Sequence, residues 1–264
     1  MTMADIRSVA LKGFGKAAQT YVRGRPDYPG ELLSWLRQKL QIGPGKTAID
    51  LGAGTGKFTK LLLQTEASVI AVEPVEAMRA ELTAGLPAIR AIAGTAQAMT
   101  LNDATADAVV CAQAFHWFAT EDALAEIHRV LKPGGTLGLI WNVRDDSVDW
   151  VAAITEIIKP YEGNAPRYYK GDWRRPFTGG LFADLQETCF AYQHIGAPQQ
   201  IILDRFLSVS FIAALPDHEK SLVAERLNDL ISSHPAIRGR ETIVFPYQTH
   251  AYHCGRRPIG NERK

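Results

Sequence analysis

No two cysteines in this 264-residue chain stand at a metal-ligand spacing: the three present, Cys111, Cys189 and Cys254, are far apart and odd in number. That excludes a disulfide framework and points to a reducing compartment with free thiols. Long apolar runs are missing as well. No stretch reaches the ~18 apolar residues of a spanning helix, and the leading MTMADIRSVALKGFGKAAQTY lacks the apolar core of a secretory signal. A cytoplasmic protein with no membrane partner is therefore expected. Nor is there an excess of one charge: 29 basic residues against 28 acidic leave a net charge of +1, which argues against a broad nucleic-acid surface. Internal repeats and low-complexity segments are absent too.

What is present is an ordinary globular composition, 46% hydrophobic, on a chain long enough to bury a core without staples. From about residue 46, short β-branched runs alternate with helical patterns, the mark of βαβ units and a parallel sheet. Strands are expected at 47–51, 68–73, 89–93, 108–112 and 136–141, with helices at 55–65, 75–86 and 121–131 between them. Lys132-Pro-Gly-Gly135 is expected to close the last of these helices and turn into the fifth strand. Beyond Trp141 the pattern predicts a helix over 148–159, a strand over 189–195, helices over 203–215 and 217–232, and a last strand over 242–253. Pro246 in that strand favours an edge or a bulge.

The sharpest signal is Asp50-Leu-Gly52-Ala53-Gly54-Thr-Gly56, which ends a strand and opens a helix. Bare glycines there let a ligand approach the backbone N–H groups. A dinucleotide fingerprint begun at Gly52 needs glycine where Lys57 stands. A P-loop ending at Gly56-Lys57 needs glycine at Leu51 and a hydroxyl at Phe58. Both phosphate-binding readings fail. The acidic-x-Gly-x-Gly-x-Gly pattern that remains carries a carboxylate, suited to a ligand with no phosphate and some positive charge. Glu73, at the end of the second strand and followed by Pro74, is placed to accept hydrogen bonds from both hydroxyls of a ribose.

Several segments together carry a resemblance. They are Phe14-x3-Ala18-x2-Tyr21-x3-Arg25-Pro26-x-Tyr28-Pro29, the Asp50–Gly56 turn, Glu73-Pro74, Gly94-Thr95-Ala96, Gln113-Ala-Phe-His116-Trp117 and Arg129-Val-Leu-Lys-Pro-Gly-Gly135. With these the chain resembles class I S-adenosylmethionine-dependent methyltransferases of the type 11 group, related to ubiquinone-biosynthesis C-methyltransferases and trans-aconitate O-methyltransferases. The likeness runs from about Phe14 to Trp141. It implies a Rossmann-like doubly wound α/β sheet of seven strands, mostly parallel with an antiparallel last strand, and helices on both faces. It implies S-adenosyl-L-methionine as cofactor, held by Asp50, Gly52, Ala53, Gly54, Gly56, Glu73 and Pro74. Thr95, Ala96 and Gln97 would meet the adenine, where the family usually has an acid in place of Gln97. Gln113 would lie under the methionine part. The segment around Tyr21 and Arg25 is expected to cover the cofactor, within a helical cover over 1–45. Residues 46–264 would then form the catalytic domain, capped by about 145–185 and 200–235.

The substrate is expected beyond the strand ends, beside Phe115-His116-Trp117. His116 is the candidate general base for a hydroxyl or a carbon acid, whereas a carboxylate acceptor needs none. Arg167, Tyr168, Tyr169, Trp173, Arg174 and Arg175 supply either a cap for an acidic substrate or a polar face with aromatic anchors. His250-x2-His253-Cys254 looks like a metal cluster, but strand alternation sends the two histidines to opposite faces, and no metal is expected. The favoured function is methyl transfer to a small molecule. A noncatalytic cofactor-sensing or partner-binding protein of the same fold is the alternative.

Overall fold

The computed structural model describes residues 24–258. Its chain forms a seven-stranded sheet in the order β3-β2-β1-β4-β5-β7-β6. The strands are β1 (Thr47–Leu51), β2 (Ser68–Val72), β3 (Arg90–Ile92), β4 (Ala106–Ala112), β5 (Leu131–Arg144), β6 (Gln186–Gly196) and β7 (Ile243–Gly255). The first five pair in parallel, and β7 is antiparallel to both of its neighbours. The doubly wound fold with an antiparallel last strand is thus the one expected.

The central strands are buried on both faces, which is why β1 and β4 read as apolar runs rather than alternating ones. In helix α1 (Glu31–Lys39) Leu32, Trp35 and Leu36 fall at helical spacing on one stripe, while Glu31 and Arg37 and Lys39 suit the two ends of its dipole. That stripe joins Phe58, Leu61 and Leu62 of α2 (Lys57–Leu63) and Ala108, Val110 and Ile140 of the sheet in one core. Helices α3 (Glu76–Gly85) and α4 (Glu121–Val130) complete the βαβ crossovers.

Two compact units are distinguished. One holds residues 28–141, 166–190 and 249–258, and it contains the glycine turn. The other holds residues 24–27, 142–165 and 191–248. In the second, Trp150, Val151 and Ile154 of α5 (Asp149–Ile158) pack with Phe206, Val223, Leu227 and Phe245 in a core of their own.

Two local expectations need correction. The Lys132–Gly135 turn is drawn into β5: Ala106 pairs with Leu131 and Ala108 with Thr136, so the extra residues bulge out of the ladder, with Gly134 at φ 76°. The helix expected over 203–215 is broken. A π turn (Gln199–Asp204), α6 (Arg205–Leu207) and α7 (Ser210–Ala213) replace it, and α8 (Asp217–Ser233) follows. The break falls where the Ser208 hydroxyl donates to the Arg205 carbonyl at 2.8 Å and Val209 turns to extended backbone.

Leu62 is fully buried between α1 and the sheet. Leu62→Ala is expected to cost about 2–5 kcal/mol, read as a lower denaturant midpoint at an unchanged m-value.

Candidate functional site

The chain leaves β1 for β2 and returns to β4 only after β3, so the winding reverses between β1 and β4. Such a switch point opens a crevice beyond the carboxyl ends of the two strands, and the Asp50–Gly56 turn borders it. The N–H groups of Gly52 and Ala53 both donate to the Val72 carbonyl, at 2.8 and 3.2 Å, fixing the turn to the end of β2. Gly52, Gly54 and Gly56 all have left-handed φ. At Gly52 a Cβ would also stand 2.7 Å from the Ala114 Cβ, so the glycine turn and the turn after β4 are in contact there. At Gly54 a Cβ would meet nothing within 4 Å. With no side chain at Gly54 a ligand can approach the half-buried backbone there.

Glu73 is buried, and its two carboxylate oxygens divide their work. Oε2 accepts from the Gly54 N–H and Oε1 from the Val75 N–H, both at 2.8 Å. A carboxylate has about four acceptor sites, so capacity remains for two more donors, the number a ribose diol brings. Burial raises the Glu73 pKa, against those two backbone bonds and the nearby Arg79. Asp50 is buried beneath the turn and accepts the Thr59 hydroxyl on Oδ2 at 2.6 Å. Its Oδ1, and the hydroxyl of buried Thr55, have no hydrogen-bond partner among the described residues. Burial pushes the Asp50 pKa up to about 7, opposed by the Thr59 bond and reinforced by the charge of Glu73.

The remaining expected contacts differ in exposure and bonding. Ala53 and Ala96 are buried, Pro74 and Thr95 are exposed, and Gln97 is half-buried with its amide donating to the Thr120 hydroxyl at 3.4 Å. Gln113 has a left-handed φ of 58°, an unfavourable state for a side chain other than glycine and one that concentrates at functional sites. Tyr21, with Phe14 and Ala18, lies outside the described residues. Arg25 is half-buried and belongs to the other compact unit.

His116 sits in the short turn Phe115–Trp117 after β4. Its Nδ1 accepts the indole N–H of Trp141 at 3.0 Å, a contact that sequence reasoning missed. Trp141 is fully buried and packs, with tilted rings, against Trp173 at 4.5 Å and Tyr168 at 5.0 Å. Arg174 lies over the Trp173 ring at 4.1 Å and donates to the Tyr252 hydroxyl at 2.9 Å. Arg175 pairs with Asp172 at the surface, and Tyr169 is exposed. The aromatic and basic segment therefore anchors itself on the sheet through Trp141 and Tyr252. Its signal in the sequence was the tryptophan at the end of the fifth strand.

A family model described as a methyltransferase domain matches residues 49–139, from β1 into β5. An uncharacterized methyltransferase-like protein of Schizosaccharomyces pombe is 35% identical over 253 residues, covering 95% of this chain and 98% of that protein. A malonyl-[acyl-carrier protein] O-methyltransferase of Methylococcus capsulatus is 36% identical over 134 residues, 47% of this chain and 48% of its own. Among solved structures, one named for a type II methyltransferase from Anaeromyxobacter dehalogenans superposes with a TM-score of 0.63. It is 23% identical and covers 88% of this chain and 97% of its own, which shows a shared fold.

The Asp50 carboxyl sets a pH test. Unfolded, it titrates near its ordinary ~3.9; folded, it keeps its proton up to about 7. Between those values the folded state binds more protons, so stability falls as pH rises through the window, and above it the whole cost of a buried anion is present. Asp50→Asn is expected to stabilise the ligand-free protein at about pH 8 by roughly 1–3 kcal/mol. The gain should shrink toward pH ~4 in denaturation curves taken across the range.

Proposed function

This chain belongs to the class I S-adenosylmethionine-dependent methyltransferases, and from that premise we propose that it moves a methyl group from S-adenosylmethionine to an oxygen or carbon of a small-molecule acceptor. The observation that carries the reading is the glycine turn itself: open space at Gly54, whose N–H is held by the buried Glu73, and at the start of the same turn a buried Asp50 oxygen with no hydrogen-bond partner among the described residues. A carboxylate at Asp50, at the start of the turn where a diphosphate would lie, disfavours a phosphate-bearing cofactor, whereas a ligand with an ammonium and a ribose diol is suited to Asp50 and Glu73. Glu73 would accept the ribose hydroxyls, Asp50 the methionine ammonium directly or through a water, and Ala96 and Gln97 would border the adenine. Gln113 would support the methionine part, with Tyr21 and Arg25 covering it. When bound, S-adenosylmethionine supplies a methyl group already activated on a sulfonium.

The chain's own contribution is position and the exclusion of water. His116 takes a different part from the base expected of it. Trp141 has only a donor to offer, so the Nδ1 that meets it must be the unprotonated nitrogen, and the neutral ring carries its proton at Nε2. A proton taken up by the ring would have to enter where the indole N–H already points. His116 is thus a hydrogen-bond donor at Nε2 that can orient an oxygen, and the acceptor it suits is one needing no deprotonation, a carboxylate above all. The similarity to a protein named as an O-methyltransferase supports oxygen. The net charge of +1 supports a small molecule over nucleic acid.

The test is calorimetric titration with S-adenosylmethionine and NAD, followed by product analysis on a panel of small carboxylates, phenols and amines. Binding of the first ligand alone and methyl ester formation are expected; NAD binding, or no binding, contradicts the reading. Gly54→Val should weaken the affinity about tenfold or more by filling the open space, with Glu73→Gln as a second variant that preserves shape. On a carboxylate acceptor the rate should be flat from about pH 6 to about pH 8; a rise through the histidine range that His116→Gln removes would restore the base role.

A further inference from the structure

At the edge of the sheet β6 pairs with β7 alone. Residues two apart in a strand share a face, so Glu187 and Cys189 of β6 lie together opposite His250 and Tyr252 of β7. His253 falls on the other face, against the Trp35 ring at 5.9 Å, while His250 lies beside Tyr168 at 5.3 Å. The alternation that separates the two histidines therefore says nothing about what stands across the strand pair from His250. There the His250 Nδ1 is 2.7 Å from Glu187 Oε1 and 3.3 Å from Cys189 Sγ, and that sulfur is 3.6 Å from the same Glu187 oxygen. Among the described residues this is the one group of three such side chains close enough to share an ion.

We propose that Glu187, Cys189 and His250 form a zinc site, with three protein ligands and a fourth position open to water or a small ligand. A thiolate, an imidazole and a carboxylate are the donor set of Zn²⁺ rather than of Mg²⁺ or Ca²⁺, which take oxygen alone. The spacing also fits. Zinc bonds of ~2.3 Å to sulfur and ~2.0–2.2 Å to nitrogen and oxygen place tetrahedral ligands about 3.3–3.6 Å apart. The two distances to sulfur already have that value, and the His250–Glu187 pair has only to open by about half an ångström.

The surroundings orient the ligands. Tyr252 donates its hydroxyl to Glu187 Oε1, and Tyr168 and Arg174 in turn hold that hydroxyl at 2.7 and 2.9 Å. Such bonds behind the ligands fix their geometry before the ion arrives. Although burial works the other way, the bonds from Tyr252, His250 and Cys189 keep the Glu187 carboxyl below its ordinary range, so it is an anion at neutral pH. As the ion binds, the Cys189 thiol gives its proton to solvent and the neutral His250 ring, ligating through Nδ1, carries its proton at Nε2. The site shares no residue with the cofactor contacts proposed above and does not depend on the methyl-transfer reading.

The test titrates the full chain, stripped of metal, with Zn²⁺ against a chromogenic chelator, and with Co²⁺ as a spectroscopic substitute. The expected result is one strong zinc equivalent and a thiolate-to-cobalt charge-transfer band. Cys189→Ser should abolish the band, and Cys189→Ser, His250→Ala and Glu187→Gln should each weaken zinc about tenfold or more with circular dichroism unchanged. His218→Ala, at an exposed histidine elsewhere, should change nothing. Equal zinc affinity in the wild type and the three variants, or a cobalt spectrum with no thiolate band, would mean that the three side chains only hydrogen-bond to one another, and would overturn the proposal.

Discussion

A carboxylate taken out of water must find donors, and the two that Glu73 finds hold the site together. Its oxygens accept from Gly54 in the turn after β1 and from Val75 at the start of α3. One buried side chain thus joins the glycine turn to the next βα connection. The turn has a second anchor in the Val72 carbonyl and a third in its contact with Ala114 beyond β4. All three lie at the carboxyl ends of neighbouring strands, so the βαβ winding that gives the sheet also brings the carboxylates of Asp50 and Glu73 near each other. Burial above all, with the charge of Glu73 adding to it, makes a charged Asp50 unfavourable and raises its pKa. A cationic, hydroxyl-bearing ligand would relieve that strain, and the buried pair is the clearest physical reason to expect one.

The half of the sheet that carries this constraint was the legible half. Parallel strands buried on both faces give short apolar runs, and the helices between them show one apolar stripe, so β1, β2 and α2 to α4 stood within a few residues of their expected places. Asp50, the three glycines and Glu73 could be read because their spacing is dictated by the turn itself. What the sequence hid depends on contacts between distant segments. Trp141 looked like one more apolar residue at a strand end, and only the fold sets its N–H against His116, 25 positions earlier. That contact is the ground for proposing the histidine as a donor rather than a base.

The carboxyl-terminal strands illustrate the same limit. Alternation separated His250 from His253, but Glu187 and Cys189 lie over sixty residues before His250, and strand register brings them to it. The break in the helix expected over 203–215 lies at a serine whose hydroxyl bonds to backbone, a contact that apolar periodicity does not register. Likewise the aromatic segment at 168–174 has no periodic signature. It is positioned by ring contacts with Trp141 and Tyr252, which lie on two strands of the sheet.

The claim that the rest depends on is that the turn after β1, together with Glu73, holds S-adenosylmethionine. A crystal structure grown with S-adenosylhomocysteine tests it most directly. The account predicts the ribose hydroxyls on the Glu73 carboxylate, the sugar passing over Gly54, and the ligand's amino group bound to Asp50 directly or through a water. A ligand bound elsewhere, or a ribose that leaves Glu73 untouched, would contradict it.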